Sequence, residues 1–123
     1  MENEFPCVLS LPHIIFIQEI GGTDRRYRLQ RVIETIEHYD PDILFLQEVD
    51  DNAPRSRYDC QYQKLSTALD FPYHAYQRNV HLKQGAYGNA ILSRFALHNI
   101  CHLDLTVPMK KRRRALWVRC KLT

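Results

Sequence analysis

The chain has 123 residues, of which 45% are hydrophobic and 25% charged; this suits one domain with one core and is too short for two. With only 4 Gly and 6 Pro, a collagen-like chain is excluded and wholesale disorder is disfavoured. The net charge is +3, yet Lys110-Lys111-Arg112-Arg113-Arg114 exceeds that surplus and the remainder is net acidic, so the positive charge is local and gives weak support to a general nucleic-acid binder.

Val8 to Ile20 is apolar and β-branched around Pro12, and Ile14–Ile17 predicts a buried strand. Neither that run nor any other approaches the ~20 residues of a membrane helix. Met1 to Asp24 contains no Lys or Arg, so neither a secretory nor a mitochondrial leader is expected. Gly21-Gly22-Thr23 predicts a turn, with Thr23 or Asp24 as the cap of a helix. Leu29, Val32, Ile33, Ile36 and Tyr39 recur at helical spacing until Pro41 stops the helix.

Ile43-Leu44-Phe45-Leu46 reads as a strand buried on both faces, with Glu48, Asp50 and Asp51 at its carboxyl end. Asn52 to Arg57 is expected to be a loop. Asp59 to Leu69 predicts a second helix with Leu65, Ala68 and Leu69 inward. Tyr73–Tyr76 predicts a short strand, Asn79 to Gly88 a polar loop and Ala90–Leu92 a buried strand. Ile100–Val107 predicts another strand, and Ala115–Leu122 alternates like a half-buried edge strand. Strands and helices alternate and then give way to a run of strands, so the expected class is α/β with a mixed sheet. No internal repeat or low-complexity segment interrupts it.

Cys7, Cys60, Cys101 and Cys120 are widely and irregularly spaced, which suits reduced thiols in a cytoplasmic protein better than a disulfide framework. His98-x-x-Cys101-His102, with Cys120, has zinc-type side chains. Strand alternation separates Cys101 from the two histidines, so no zinc site is expected.

Two segments carry candidate chemistry. Glu48 ends a buried strand, where open α/β sheets bind ligands, and a carboxylate there suits a hard cation such as Mg²⁺. Merely solvated acids would give the same pattern. In Gly85-Ala86-Tyr87-Gly88-Asn89-Ala90-Ile91-Leu92-Ser93-Arg94, glycines permit close backbone approach, and the Asn89 amide both donates and accepts. A tight turn into a core strand is the plainer reading. The basic run 110–114 reads as a solvated turn or as a surface that steers a polyanion.

The Gly21–Tyr27 segment, the helix after it, Leu46-Gln47-Glu48-Val49-Asp50 and Tyr87-Gly88-Asn89-Ala90-Ile91-Leu92-Ser93-Arg94 come in an order and spacing that resemble the first half of the endonuclease/exonuclease/phosphatase superfamily. The likeness runs from about Ile20 to the C-terminus and lies nearest the bacterial-type metal-dependent hydrolases. It implies a partial two-sheet α/β sandwich, a mixed sheet with outer helices, over residues 1–123 as a single partial domain truncated at the C-terminus. It also implies hydrolysis of a phosphodiester or phosphomonoester with Mg²⁺ or Mn²⁺, nucleic acid being one candidate substrate. By the same resemblance, Glu48 is the metal ligand and a catalytic residue, Asn89 a second catalytic residue, and Arg114 a contact to substrate phosphate.

The sequence also departs from the family pattern. Where the family's first strand ends in asparagine, this chain reads His13-Ile14-Ile15-Phe16-Ile17-Gln18-Glu19, with Gln18 and Glu19 as polar substitutes. The family's later Thr-His-Leu, Gly-Asp-x-Asn and Ser-Asp-His segments have no counterpart. The chain is therefore expected to be inactive alone, to leave an apolar sheet face bare (Leu92, Leu116, Val118 and Leu122 being candidates), and to call for a complementary C-terminal half chain. The rival expectation is a non-catalytic remnant that binds a polyanion or a partner through residues 110–114.

Overall fold

Alternating apolar residues need two partners, one for each face of a sheet, and the fold supplies them unequally. The computed structural model describes residues 12–18, 20, 29–110 and 113–122. The expected turn at 21–23 and its capping residues, Glu19, Cys7, Lys111 and Arg112 lie outside these.

Strand β1 (Ile14–Gln18) turns Ile15 and Ile17 toward a core, and helix α1 (Leu29–Tyr39) lays Leu29, Val32, Ile33 and Ile36 on it. The helix stops as expected. Asp40 takes a left-handed conformation, φ 46°, and its N–H still reaches the Ile36 carbonyl at 2.9 Å before buried Pro41. Strand β2 (Ile43–Asp51) pairs with β1 in parallel, from Ile14 with Ile43 to Gln18 with Gln47.

β2 is longer than its apolar run. Glu48, Asp50 and Asp51 lie within the strand rather than beyond it, because antiparallel pairing with β4 (Ala86–Ser93) continues after β1 has ended. The expected polar loop 79–88 is likewise mostly strand. β3 (Tyr73–His81) runs to His81, β4 starts at Ala86, and the two form a hairpin. Polar residues are tolerated there because antiparallel strands alternate between a covered and a wet side. The turn closes with Leu82 N–H on the Gly85 carbonyl, 2.9 Å, Gly85 standing at φ 84°.

The expected loop 52–57 contains a short 3₁₀ turn, Pro54–Ser56. Helix α2 spans Gln61–Ala68 and buries Gln61 and Leu65; Ala68 faces solvent and Leu69 is half-buried. The sheet order is β1-β2-β4-β3. Both helices cover the face that presents Leu44, Leu46, Ala90 and Leu92. Tyr62 of α2 stacks on Tyr76 of β3, ring centres 4.4 Å apart.

A second, two-stranded antiparallel sheet pairs β5 (Leu97–Asp104) with β6 (Arg114–Cys120). The strand expected at 100–107 is thus shifted toward its N-terminal side, and Thr106 instead folds back onto Arg113. This ribbon covers only the β3–β4 side of the larger sheet, touching it through Gln77, Asn89 and Ser93. The β1 side stays open: Phe16, stacked on Phe45 at 4.8 Å, is 77% exposed. Leu92, expected on a bare face, is fully buried beneath the helices, and Leu116 and Val118 are half-buried. Besides Leu122, the exposed large apolar side chains include Ile14 and Phe16 on β1 and Ile100, Leu103 and Trp117 on the ribbon.

Two predictions come from this packing. A Cβ on Gly88 would lie 1.8 Å from the Gln77 carbonyl oxygen, so Gly88→Ala must push β3 away. We expect a loss of about 3 kcal/mol in urea unfolding; an unchanged midpoint would refute this close approach. Burial also pushes the Cys60 thiol up to about 11 from its ordinary 9.0, and the Tyr76 phenol up to about 12. Raised pKa values mean that the fold prefers the neutral forms, so this stability is complete below pH 9 and drains as pH climbs through 11. Thermal midpoints should fall over that window, and Cys60→Ala should flatten the fall; parallel curves for the two proteins would count against it.

Candidate functional site

The parallel ladder of β1 and β2 ends at Gln18 and Gln47, and the next residue, Glu48, breaks the register of β2 against β4. Leu46 faces Ala90 and Val49 faces Gly88, so Gln47 and Glu48 together oppose Asn89. This is a β-bulge, a device that re-aims a side chain. It holds Glu48 at φ 58°, a left-handed conformation that costs an ordinary residue roughly 1–2 kcal/mol. Although β2 runs on, Glu48 does sit at the carboxyl end of the parallel pair, the position at which open sheets bind ligands.

The three acids of this strand part company. Asp50 is buried. Its carboxylate accepts two hydrogen bonds from Arg55, at 2.8 and 2.6 Å, and one from the Ser56 hydroxyl, while its N–H donates to Gln61 Oε1 at 2.6 Å. Asp51 pairs with Arg78 at 3.1 Å. The Glu48 carboxylate takes no hydrogen bond or ion pair from a described residue and faces a cleft of about 640 Å³. Gln18, Asn79, Asn89, Arg113 and Arg114 line the same cleft, whose apolar end is Phe16, Phe45 and Leu116. The residues singled out from sequence, Glu48, Asn89 and Arg114, are thus brought together, with Gln18 beside them.

Asn89 lies inside β4, and its amide donates to Gln77 Oε1 at 3.1 Å and to the Arg114 carbonyl at 3.2 Å. Gln77 is 1% exposed and donates in turn to the Ala115 carbonyl at 2.9 Å, with His102 Nδ1 at 3.0 Å. These amides fasten the ribbon to the larger sheet and set where Arg114 begins. Arg114 itself donates to the Arg78 carbonyl at 3.1 Å. Gln77 and Asn79 were not foreseen; Gln77 follows the expected strand Tyr73–Tyr76, Asn79 falls in the stretch expected to be a loop, and only strand register places them.

Among the described lining residues, Glu48 supplies the one carboxylate and Gln18, Gln47, Asn79 and Asn89 supply amides, oxygen donors of the type that hard cations take. Among the described residues no group of three His, Cys, Asp or Glu side chains converges on one point. The family model described as "Endonuclease/Exonuclease/phosphatase family" matches residues 9–119. The chain belongs to this family. Solved structures agree in fold. An endonuclease/exonuclease/phosphatase from Beutenbergia cavernae DSM 12333 superposes with a TM-score of 0.69 at 18% identity, over 87% of this chain and 33% of that one. A family protein from Leptotrichia buccalis C-1013-b gives 0.66 at 14% identity, over 90% and 49%. ANGEL2, a 2',3'-cyclic phosphatase, gives 0.51 at 20%, over 76% and 27%. The chain therefore spans no more than half of these endonuclease/exonuclease/phosphatase structures. Among curated proteins none matches the sequence.

The amide link between the sheets is open to test. Gln77→Leu would remove the acceptor of the half-buried Asn89 amide and the donor to the Ala115 carbonyl and His102, at a cost of about 1–3 kcal/mol in all. Hydrogen exchange should then show β5 and β6 opening while β2 and β4 stay protected. Unaltered protection of the ribbon would mean that something else holds it.

Proposed function

We propose that this chain supplies the cation-binding part of a divalent-metal-dependent phosphoester hydrolase site, with Mg²⁺ or Mn²⁺ held by Glu48. The observation that carries the reading is the division among the strand's acids: Asp50 and Asp51 are taken up by arginines, and Glu48 alone is turned, at a conformational cost, into the cleft. When bound, such a cation neutralises phosphate charge and lowers the pKa of a water nucleophile. Glu48 would anchor it, Gln18 would contribute oxygen, and Arg113 and Arg114 would face the phosphate. Asn89 acts as a positioning residue, since both of its described bonds fix Gln77 and the start of β6.

The described lining of this cleft contains no histidine and no second acid. Acid–base groups are each worth ~10²–10⁴ in rate, so turnover needs groups from outside these residues. A complementary C-terminal half chain that settles over Phe16 and Phe45 is the partner this reading calls for. The substrate is a phosphoester, nucleic acid included; the structural neighbour ANGEL2, a 2',3'-cyclic phosphatase, is in keeping with that. The rival reading, polyanion or partner binding by residues 110–114 alone, is disfavoured because Arg113 and Arg114 line the cleft of Glu48. No helix among the described residues is long and apolar enough to cross a membrane. Cys60, Cys101 and Cys120 are free thiols, which supports placement in the reducing cytoplasm.

Titration with Mn²⁺ tests the reading. Paramagnetic broadening should centre on Gln18, Gln47 and Asn89 in the wild type and vanish in Glu48→Gln. Identical broadening maps in the two proteins would remove Glu48 from the role.

A further inference from the structure

β4 is flanked by a bulge on each side at nearly the same level. On the β2 side, Gln47 and Glu48 oppose Asn89; on the β3 side, Arg78 pairs with Gly88 and Val80 with Tyr87, which leaves Asn79 as the extra residue. Neighbouring strands lie about 4.8 Å apart, so the two bulges are separated by roughly 10 Å across β4. Both residues that the bulges displace, Glu48 and Asn79, line the one cleft.

Asn79 has no structural employment among the described residues. Its Oδ1 is buried without a hydrogen-bond partner. Its Nδ2 makes no described hydrogen bond and, unlike Oδ1, is not fully buried, and the residue lines the cleft. A buried, unpaired carbonyl oxygen costs stability, so the placement of this side chain is not explained by bonds within the fold, and Nδ2 is the atom left to meet a ligand. Its two neighbours in the strand are accounted for: Arg78 pairs with Asp51, and Val80 holds register with Tyr87. The cleft wall between β3 and β6 is also the wall that carries Arg113 and Arg114, so an amide donor there adds to a donor-rich side, opposite the single carboxylate.

We propose that Asn79 is a substrate-contacting residue whose amide donates to an oxygen of the phosphate group that enters the cleft. This rests on the reading of the cleft as a phosphoester site, and it adds a contact that neither the LQE nor the YGNAILSR segment contains. The phosphate is held between two banks: Glu48, through the cation, on the β2 bulge, and Asn79 with the arginines on the β3–β6 side.

Inorganic phosphate in the presence of Mg²⁺, followed through the ¹⁵N-labelled side-chain amides, is the probe. The Asn79 amide pair should shift on titration. Asn79→Leu should weaken phosphate about ten-fold, the value of one hydrogen bond to a charged group, and leave the Mn²⁺ broadening map unchanged. Asn79→Ser, which keeps a donor in a smaller side chain, should restore part of the affinity. Phosphate binding that ignores Asn79→Leu, or a wild type that binds no phosphate, would overturn the proposal. So would a variant that loses Mn²⁺ instead, since the amide would then serve the cation. A wild type that binds phosphate through Asn79 but shows no Glu48-dependent Mn²⁺ map would uphold the role of Asn79 and count against Glu48.

Discussion

The buried amide of Gln77 is the hinge-pin of this molecule. Two sheets meet here without a continuous apolar interface, because the ribbon of β5 and β6 covers only part of the larger sheet. What fixes their relation is a chain of amide bonds in which Gln77 accepts from Asn89 and donates to the Ala115 carbonyl and His102. In a low-dielectric interior each such bond is strong if made and costly if missing. The network is therefore directional in a way that apolar packing is not. It allows one placement of β6, and with it one placement of Arg113 and Arg114 against the cleft.

That network depends on how closely β3 can approach β4. Gly88 lets the Gln77 carbonyl come to a distance no side chain would permit, and the strands on either side of β4 both bulge next to this glycine, opposite Asn89 and between Gly88 and Tyr87. The glycine, the two bulges and the two amides form one construction: remove the close approach and Gln77 moves, and when Gln77 moves the ribbon and its arginines move with it.

Much of this was legible in the sequence because it follows from period. The 3.6-residue spacing of Leu29, Val32, Ile33 and Ile36 marked α1, and the apolar run at 43–46 marked a central strand, β2. Glu48 was legible through motif and position together. The hairpin of β3 and β4 was legible only at its outer ends, 73–76 and 90–92, because residues 79–88 look like a loop to a reading based on polarity and nothing local shows what Gln77, Asn79 and Asn89 face. They are strand residues whose polar ends are satisfied, or left waiting, by a second sheet that pairs far along the chain. Ala68 misled in the opposite sense: an apolar residue at helical spacing that the short α2 turns to solvent, while the polar Gln61 is buried to cap the Asp50 amide. Long-range register, not local propensity, decided each of these.

Two local costs meet at the cleft. Most non-glycine residues with positive φ stand in turns or at element ends, as Asp40, Asn52, Asp70 and Met109 do, and the asparagine and aspartates among them tolerate it. Within strands the described exceptions are Glu48 and Asn99. Asn99 belongs to the tolerant class and sits at an irregularity of the exposed ribbon. Glu48 has no such allowance, and it occupies the central strand beside a core that already limits its freedom. On the far side of β4, Asn79 buries an oxygen that bonds no described residue. Each feature costs on the order of 1–3 kcal/mol, against a total stability of ~5–15 kcal/mol for a domain. Both costs fall on the same cleft, on either side of one strand, and neither improves the packing. Departure from the locally best conformation at one shared place is what a binding site requires of its backbone.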